Sequence, residues 1–269
     1  PTRRSSDLSL LVNVRGWVPV RFDPWAHRLH AALRPLLRLV ARGDRRLCGV
    51  CGARCRRFLR HRTRDEVVCP VCLSHGRHRI AWRWLVDRSG LDRGGPRVLH
   101  LAPEPELARR LRELGDLRVV SGDLTSPLAG LRIDLTALGL RDEAFDAVLC
   151  SHLLEHVPDD RAAIRELYRV LAPGAWALIQ VPLPSGRPVT DEAPDVVCPE
   201  ERTRRFGQPD HCRLYGLDLV DRIRAAGFDV ELLEARDLFA AEELSRQALR
   251  ADEPLFVARK PAASGKEER

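Results

Sequence analysis

Apolar residues recur along the chain in two different periods, and the period changes near residue 96. From Trp25 to Arg42, Leu29, Leu33, Leu36, Leu37 and Val40 return at helical spacing with Arg28, Arg34, Arg38 and Arg42 between them. This predicts a basic amphipathic helix that packs its apolar stripe on the following domain, and Pro35 should break or kink it. A second basic helix is expected over HGRHRIAWRWLVDR (His75–Arg88), with Ile80, Trp82, Trp84 and Leu85 as its packing residues and Arg77 and Arg79 on a solvated face, contact with an anionic substrate being the alternative. From Arg97 onward, short apolar runs alternate with helical segments. The strands expected are Val98–Leu101, Arg118–Ser121, Ala147–Cys150, Ala177–Val181, Phe228–Leu233 and Leu255–Lys260. Helices are expected between them over Pro105–Leu114, Asp160–Leu171 and Leu217–Ala226. Such alternation is the mark of an α/β fold with a doubly wound, mostly parallel sheet and helices on both faces.

Between the two basic helices lie CGVCGARC (Cys48–Cys55) and CPVC (Cys69–Cys72). Cys48-x2-Cys51 and Cys69-x2-Cys72 are separated by 17 residues, within the spacing of four-cysteine zinc sites. Each CxxC turn presents two thiolates to one ion, and four thiolates leave no open position for water. Zn²⁺ here is therefore expected to be structural, with Cys48, Cys51, Cys69 and Cys72 as ligands and Cys55 a spare. The organisation expected is an arm over 9–45, a zinc-ribbon-like module over 46–80, a linking helix over 81–95, a catalytic-type domain over 96–261 and a disordered tail over 262–269.

Composition sharpens this picture in three ways. Net charge is +7, but residues 1–95 hold 21 Arg against 7 acids, while the remainder is acidic. A basic arm of that kind suits RNA, an anionic membrane or an acidic partner. Arginine nevertheless supplies 43 of the 45 basic residues, as a GC-rich genome would give. No apolar run approaches the length that crosses a bilayer, no signal-peptide pattern is visible, and cysteine pairs spaced for metal suit a reducing cytoplasm. The chain contains no Met, and PTRRSSDL (Pro1–Leu8) matches the translation of a common sequencing-library adapter, CCT ACA CGA CGC TCT TCC GAT CT. That stretch is expected to be foreign to the fold.

The chemistry concentrates after residue 97. Asp123 follows at the carboxyl end of the second expected strand, where a carboxylate accepts bonds from ribose hydroxyls at a topological switch point. Asp134, followed by apolar Leu135, suits an adenine amine and the face of its ring. Strand, Asp123, Asp134, then FDAVLC, LLEHVPD, RVLAPG and a closing strand, in that order, resemble the class I S-adenosylmethionine-dependent methyltransferases of the type 11 subgroup. The resemblance covers about Arg97–Lys260 and implies a Rossmann-like fold with S-adenosylmethionine as cofactor. It further implies that His100, Ala102 and Glu104 lie along the methionine part of the cofactor. Asp123 would take the ribose, Asp134 and Leu135 the adenine, and Ser151 or His152 the reacting end. Departures from the pattern are visible. His100 replaces an acid, Pro103-Glu104-Pro105 replaces the glycines of the first turn, and Ala175 replaces the second glycine of a PGG turn. A subgroup of that family combines this loop with a preceding CPxC ribbon and a later FGQxDHxRxYG segment, and all three occur here.

Two segments invite further readings. HLLEH (His152–His156) matches the H-x-x-E-H zinc-peptidase pattern, but Pro158 follows too soon for the long helix that motif requires. With His for one Glu, His152, Glu155 and His156 also resemble the E-x-x-E-H metal site of ubiquinone-pathway O-methyltransferases; the favoured reading is that Glu155 and His156 cap and pack the loop. In FGQPDHCRLYG (Phe206–Gly216), adjacent Asp210 and His211 suggest a general base, with His152 a second candidate, and Arg213 and Tyr215 suggest groups that orient an anionic or sugar-like acceptor; the equal alternative is that the segment only closes the cofactor pocket. A methyl donor carries its own activation, so Cys150 is expected to be core. The function implied is methyl transfer to an O or N nucleophile of a small molecule, glycan or natural-product intermediate. The alternatives are an RNA methyltransferase gripping RNA with the ribbon and arm, and a non-catalytic binding module. The sequence carries no pattern that fixes an oligomeric state.

Overall fold

The computed structural model describes residues 24–61 and 64–262. The adapter-like stretch Pro1–Leu8 and all but the first residue of the expected tail lie outside them. No helix among the described residues is long and apolar enough to cross a membrane.

The first element, α1 (Pro24–Ala41), runs through Pro35 without a break. Its expected apolar stripe is only partly used. Leu37 and Ala41 pack on the core, whereas Leu29, Leu36, Leu39 and Val40 are exposed. The helix is instead pinned by polar contacts: Arg34 pairs with Glu106 at 2.5 Å and Arg38 donates to the Cys51 carbonyl at 2.6 Å. Four short strands follow, β1 (Arg42–Leu47) with β2 (Arg54–Cys55) and β3 (Leu59–His61) with β4 (Arg64–Val68), each pair antiparallel. They bring the two CxxC turns together. The next helix, α2 (Gly76–Asp87), starts four residues after Cys72.

The sheet comprises seven strands: β5 (Arg97–Leu101), β6 (Arg118–Asp123), β7 (Leu131–Arg132), β8 (Phe145–Ser151), β9 (Leu171–Gln180), β12 (Asp229–Glu234) and β13 (Pro254–Arg259). Their order is β12-β13-β9-β8-β5-β6-β7. All pairings are parallel except those of β13, which runs antiparallel to both β9 and β12. The expected strands are present, and the two-residue β7 is the addition; a run that short carries no readable period. Between β9 and β12, β10 (Asp191–Glu192) pairs with β11 (Arg213–Leu214), and α5 (Pro199–Phe206) precedes the latter. The expected sheet helices are α3 (Pro105–Arg112), α4 (Asp160–Val170) and α6 (Leu219–Arg224), with α7 (Ala235–Leu238) and α8 (Ala241–Arg246) after β12.

Alternation along the strands sorts their side chains into two cores. Leu99, Val148, Ala177 and Phe256 face α4 and α6, packing with Ile164, Leu167 and Ile223. Val98, Ala147, Leu149, Leu178 and Val257 face the other way and share one apolar cluster with α2, α3 and the cysteine turns. The cysteine module and α2 thus cover one face of the sheet. Trp84 is 1% exposed and meets Trp176 of β9 edge to face, ring centroids 4.7 Å apart. Arg79, expected on a solvated face, is also buried. Its guanidinium donates to the carbonyls of Ser74 (2.8 Å) and Val67 (3.0 Å) and lies over the Phe58 ring. Irregular backbone around the cysteine turns leaves carbonyls without ladder partners, and a buried guanidinium satisfies them.

Because Trp84 bridges the module and the sheet, Trp84→Ala should destabilise the protein by about 3–5 kcal/mol. In urea unfolding, tryptophan fluorescence and far-UV circular dichroism should report one coincident transition for the wild type. Two separated transitions would show that the module and the sheet fold independently.

Candidate functional site

The carboxyl ends of β5, β6 and β8 bring the expected cofactor residues to one edge of the sheet. The loop after β5 makes its turn without glycine. Ala102 takes φ of 43°, a left-handed conformation that costs a residue with a Cβ about 1 kcal/mol or more. Its N–H donates to the Gly122 carbonyl of β6 at 2.9 Å, which holds the turn. Pro105 opens α3 as a first-turn proline, leaving Glu104 at the N-cap position.

Glu104 is the centre of a buried polar group. Its Oε1 lies 2.5 Å from His78 Nε2 and 3.2 Å from Arg77 Nε. The His75 backbone N–H donates to His78 Nδ1 at 3.0 Å, so the ring proton sits on Nε2 and is given to Glu104. Burial opposes the charge on Glu104, but His78 and Arg77 outweigh it and hold the carboxyl well below the usual range. Burial pushes His100 down to about 4, so its ring is neutral at physiological pH. Glu104 Oε2 and His100 Nδ1 are both buried and have no hydrogen-bond partner. An unpaired buried carboxylate oxygen costs free energy that a cationic ligand group would recover. The ammonium of S-adenosylmethionine is such a group, and the residues present fit it.

The other expected contacts are at the same edge. Asp123 closes β6, and its Oδ1 accepts the N–H groups of Thr125 (2.7 Å) and Ser126 (2.5 Å). Asp134 is exposed, and Oδ1 accepts from the N–H and hydroxyl of Thr136. Leu135 is buried in the core. Ser151 ends β8, and its Oγ donates to Gln180 Oε1 at 3.3 Å. Gln180 in turn donates Nε2–H to the Arg77 carbonyl, and its own carbonyl accepts from the His152 N–H. Arg77 and Gln180 therefore tie the start of α2 to both halves of this edge. Sequence reasoning missed the parts played by His78, Arg77 and Gln180, which belong to elements distant in sequence and carry no motif.

After β8 comes a 3-10 turn, Leu154–His156, in place of any long helix. FGQPDHCRLYG wraps over it, and its glycines are structural. Gly207 ends α5 at φ of 87°, and a Cβ on Gly216 would lie 2.4 Å from the Val189 backbone. Arg213 and Tyr215, expected to meet an acceptor, are consumed here. Arg213 donates to the carbonyls of Leu154, Val157 and Pro158, and the Tyr215 hydroxyl donates to Asp160 at 2.7 Å. Both are under 5% exposed because the turn's unpaired carbonyls need buried donors. Asp210 Oδ2 lies 3.2 Å from His156 Nδ1, so the expected Asp210–His211 couple is not made through that contact. His211 is buried, Nδ1 donating to the Phe206 carbonyl at 3.0 Å. His152, at φ of 54°, places Nδ1 3.1 Å from Glu155 Oε1. Cys150 is buried in the core, and burial pushes its thiol up, so it is no nucleophile.

The four module cysteines also converge. One sulfur from each lies within 4.8 Å of the others, with Cys48–Cys72 at 3.6 Å and Cys51–Cys69 at 3.8 Å. Thiolates on a tetrahedral zinc with bonds of about 2.3 Å sit about 3.8 Å apart. Cys55 is buried nearby but does not belong to this group of four.

Residues 88–179 match a family described as a methyltransferase domain. Residues 88–179 are thus similar to a methyltransferase domain, and they lie on a Rossmann-like sheet. The chain is similar to the ubiquinone/menaquinone biosynthesis C-methyltransferase UbiE of Enterobacter sp. (strain 638), 32% identical over 127 residues, 40% of this chain and 50% of that protein. The same enzyme of Haemophilus ducreyi is 33% identical over 141 residues, 44% of this chain and 52% of that protein. The chain thus spans about half the length of these curated relatives. An S-adenosylmethionine-dependent methyltransferase from Mesorhizobium loti, 22% identical, covers 62% of this chain and 92% of its own, with a TM-score of 0.45. The matched residues of the methyltransferase domain include the Ala102 turn, Glu104, Asp123, Asp134 and the HLLEH turn.

A carboxyl with a depressed folded-state pKa stabilises above its unfolded value and loses that contribution as pH falls through the folded value. Glu104→Gln should therefore lower stability by about 1–3 kcal/mol at pH 7. The gap between variant and wild type should narrow below about pH 4, where the unfolded-state carboxyl takes up its proton while the folded one stays ionised. Urea midpoints at pH 7 and pH 3.5 measure both.

Proposed function

We propose that the protein transfers the methyl group of S-adenosylmethionine to a small-molecule acceptor. The observation that carries this reading is the unpaired Oε2 of Glu104 at the carboxyl edge of a methyltransferase-family sheet. Glu104 and His100 would hold the amino-acid end of the cofactor, with the Ala102 turn lying alongside. Asp123 would take the ribose hydroxyls through the carboxylate oxygen that the Thr125 and Ser126 N–H groups do not use. Asp134 would meet the adenine amine, with Leu135 packing below, and Ser151 would border the reacting end. Once bound, the cofactor supplies a methyl group already activated by its sulfonium. The chain's residues then need to exclude water and orient the acceptor, which is where most of the acceleration arises. Where the acceptor must lose a proton, His152 is the better-placed base, since its side chain is 27% exposed while His211 is buried.

The curated relatives are named C-methyltransferases, so carbon joins oxygen and nitrogen as an acceptor atom in this reading. A small acceptor is preferred to RNA because several arginines of the basic arm are already spent. Arg34 pairs with Glu106, Arg46 with Glu66, and Arg79 is buried. Zn²⁺ in the four-cysteine set would be structural and would fix the turn from which α2 delivers Arg77 and His78.

Calorimetric titration of the zinc-loaded protein with S-adenosylmethionine tests the reading. Micromolar binding that weakens at least tenfold in Glu104→Gln is expected, equivalent to about 1.4 kcal/mol. Absence of binding by folded wild-type protein would overturn the assignment, and unchanged affinity in the variant would make the loop a scaffold only. Turnover with a small acceptor should vary little with salt, whereas an RNA acceptor would show a steep loss.

A further inference from the structure

Behind the HLLEH turn, Glu155, His156 and His211 each direct a ligand-type atom to one place, and these atoms lie within 4.8 Å of one another. Two of the three side chains are almost fully buried, Glu155 at 1% and His211 at 2% exposure. Glu155 Oε2 and His211 Nε2 are buried and have no hydrogen-bond partner. One unpaired atom in a folded interior is unusual; two converging on a third ligand-type side chain need a common explanation.

The remaining polar atoms of the trio are all engaged. His211 Nδ1 donates to the Phe206 carbonyl, which leaves the lone pair on Nε2, the buried unpaired nitrogen. Glu155 Oε1 contacts His152 Nδ1 at 3.1 Å, leaving Oε2 free. His156 Nδ1 contacts Asp210 Oδ2 at 3.2 Å, leaving Nε2 as the ring's other ligand atom. Metal-binding imidazoles are oriented in this way, with the second nitrogen bonded to a carbonyl or carboxylate. The scaffold is also secured, because Arg213 holds the carbonyls of Leu154 and Val157 and the Cys212 N–H donates to the Glu155 carbonyl at 2.7 Å.

We propose that Glu155, His156 and His211 bind a divalent transition-metal ion, separate from the ion of the four cysteines. Two imidazoles and one carboxylate suit zinc, cobalt, iron(II) or manganese(II) better than magnesium or calcium. Three protein ligands leave coordination positions open, in contrast to the closed cysteine set. The His156 side chain is 32% exposed, so the cluster has one ligand-type side chain in contact with solvent. The ligand set differs from the one HLLEH suggests by itself. His152 orients the carboxylate, and the second imidazole comes from residue 211. The proposal stands on this geometry and does not depend on the methyl-transfer reading.

The test uses the full chain with its cysteine set loaded with one equivalent of Zn²⁺, then titrated with Co²⁺. One further equivalent should bind, giving weak visible d–d absorption without the intense near-ultraviolet band that marks thiolate–cobalt bonds. In Glu155→Gln and His211→Asn the second equivalent should bind at least thirtyfold more weakly, with cysteine-bound zinc and the wild-type unfolding transition retained. Should either variant fail to fold, His156→Gln, at a part-exposed position, reads the same site. No second equivalent in the wild type, a thiolate band with it, or undiminished uptake in folded variants would each overturn the proposal.

Discussion

The hydrogen bond between His78 Nε2 and Glu104 Oε1 joins the two parts of this protein at the point where chemistry is expected. His78 lies in the first turn of α2, six residues after Cys72, and Glu104 lies at the N-cap of α3. Burial makes an uncompensated carboxylate costly, so the loop after β5 holds its shape only while α2 supplies a donor. The cysteine turns decide where α2 begins, and Arg79 anchors that start to their carbonyls. The module is thereby part of the sheet's edge as well as a cover for its face.

The same economy of polar groups shapes the opposite side of that edge. The short turn after β8 exposes carbonyls that cannot pair within it, and a segment more than fifty residues away supplies Arg213 and Tyr215 to satisfy them. Residues that read as substrate contacts are spent as braces. What the wrap leaves unpaired are Glu155 Oε2 and His211 Nε2, a carboxylate and an imidazole brought together by the bracing itself. In both halves of the site the informative atoms are those the fold buries and does not satisfy.

Much of this was legible beforehand, for identifiable reasons. The six main strands carried short apolar runs, and the CxxC pairs carried ligand spacing, so both survive folding unchanged. Asp123 lies at the end of β6 because strand length is set by that pattern. Reading failed where one side chain's role depends on another element. Arginine at positions 79 and 213 looks solvated or ligand-facing until the carbonyls it serves are placed. Leu29, Leu36 and Val40 repeat at helical spacing, yet α1 is held largely by Arg34 and Arg38 and leaves them exposed.

The sequence by itself determined the elements, the alternation that sorts two cores, the four-cysteine cluster and the carboxylates at strand ends. These follow from local periodicity and spacing, which need no knowledge of the rest of the chain. Only the tertiary structure decided that α2 clamps Glu104, that Ala102 occupies a left-handed turn, and that His211 meets Glu155 and His156. Those are pairings between segments far apart in the chain. They are set by which buried donors and acceptors remain unsatisfied once the sheet has closed its layers.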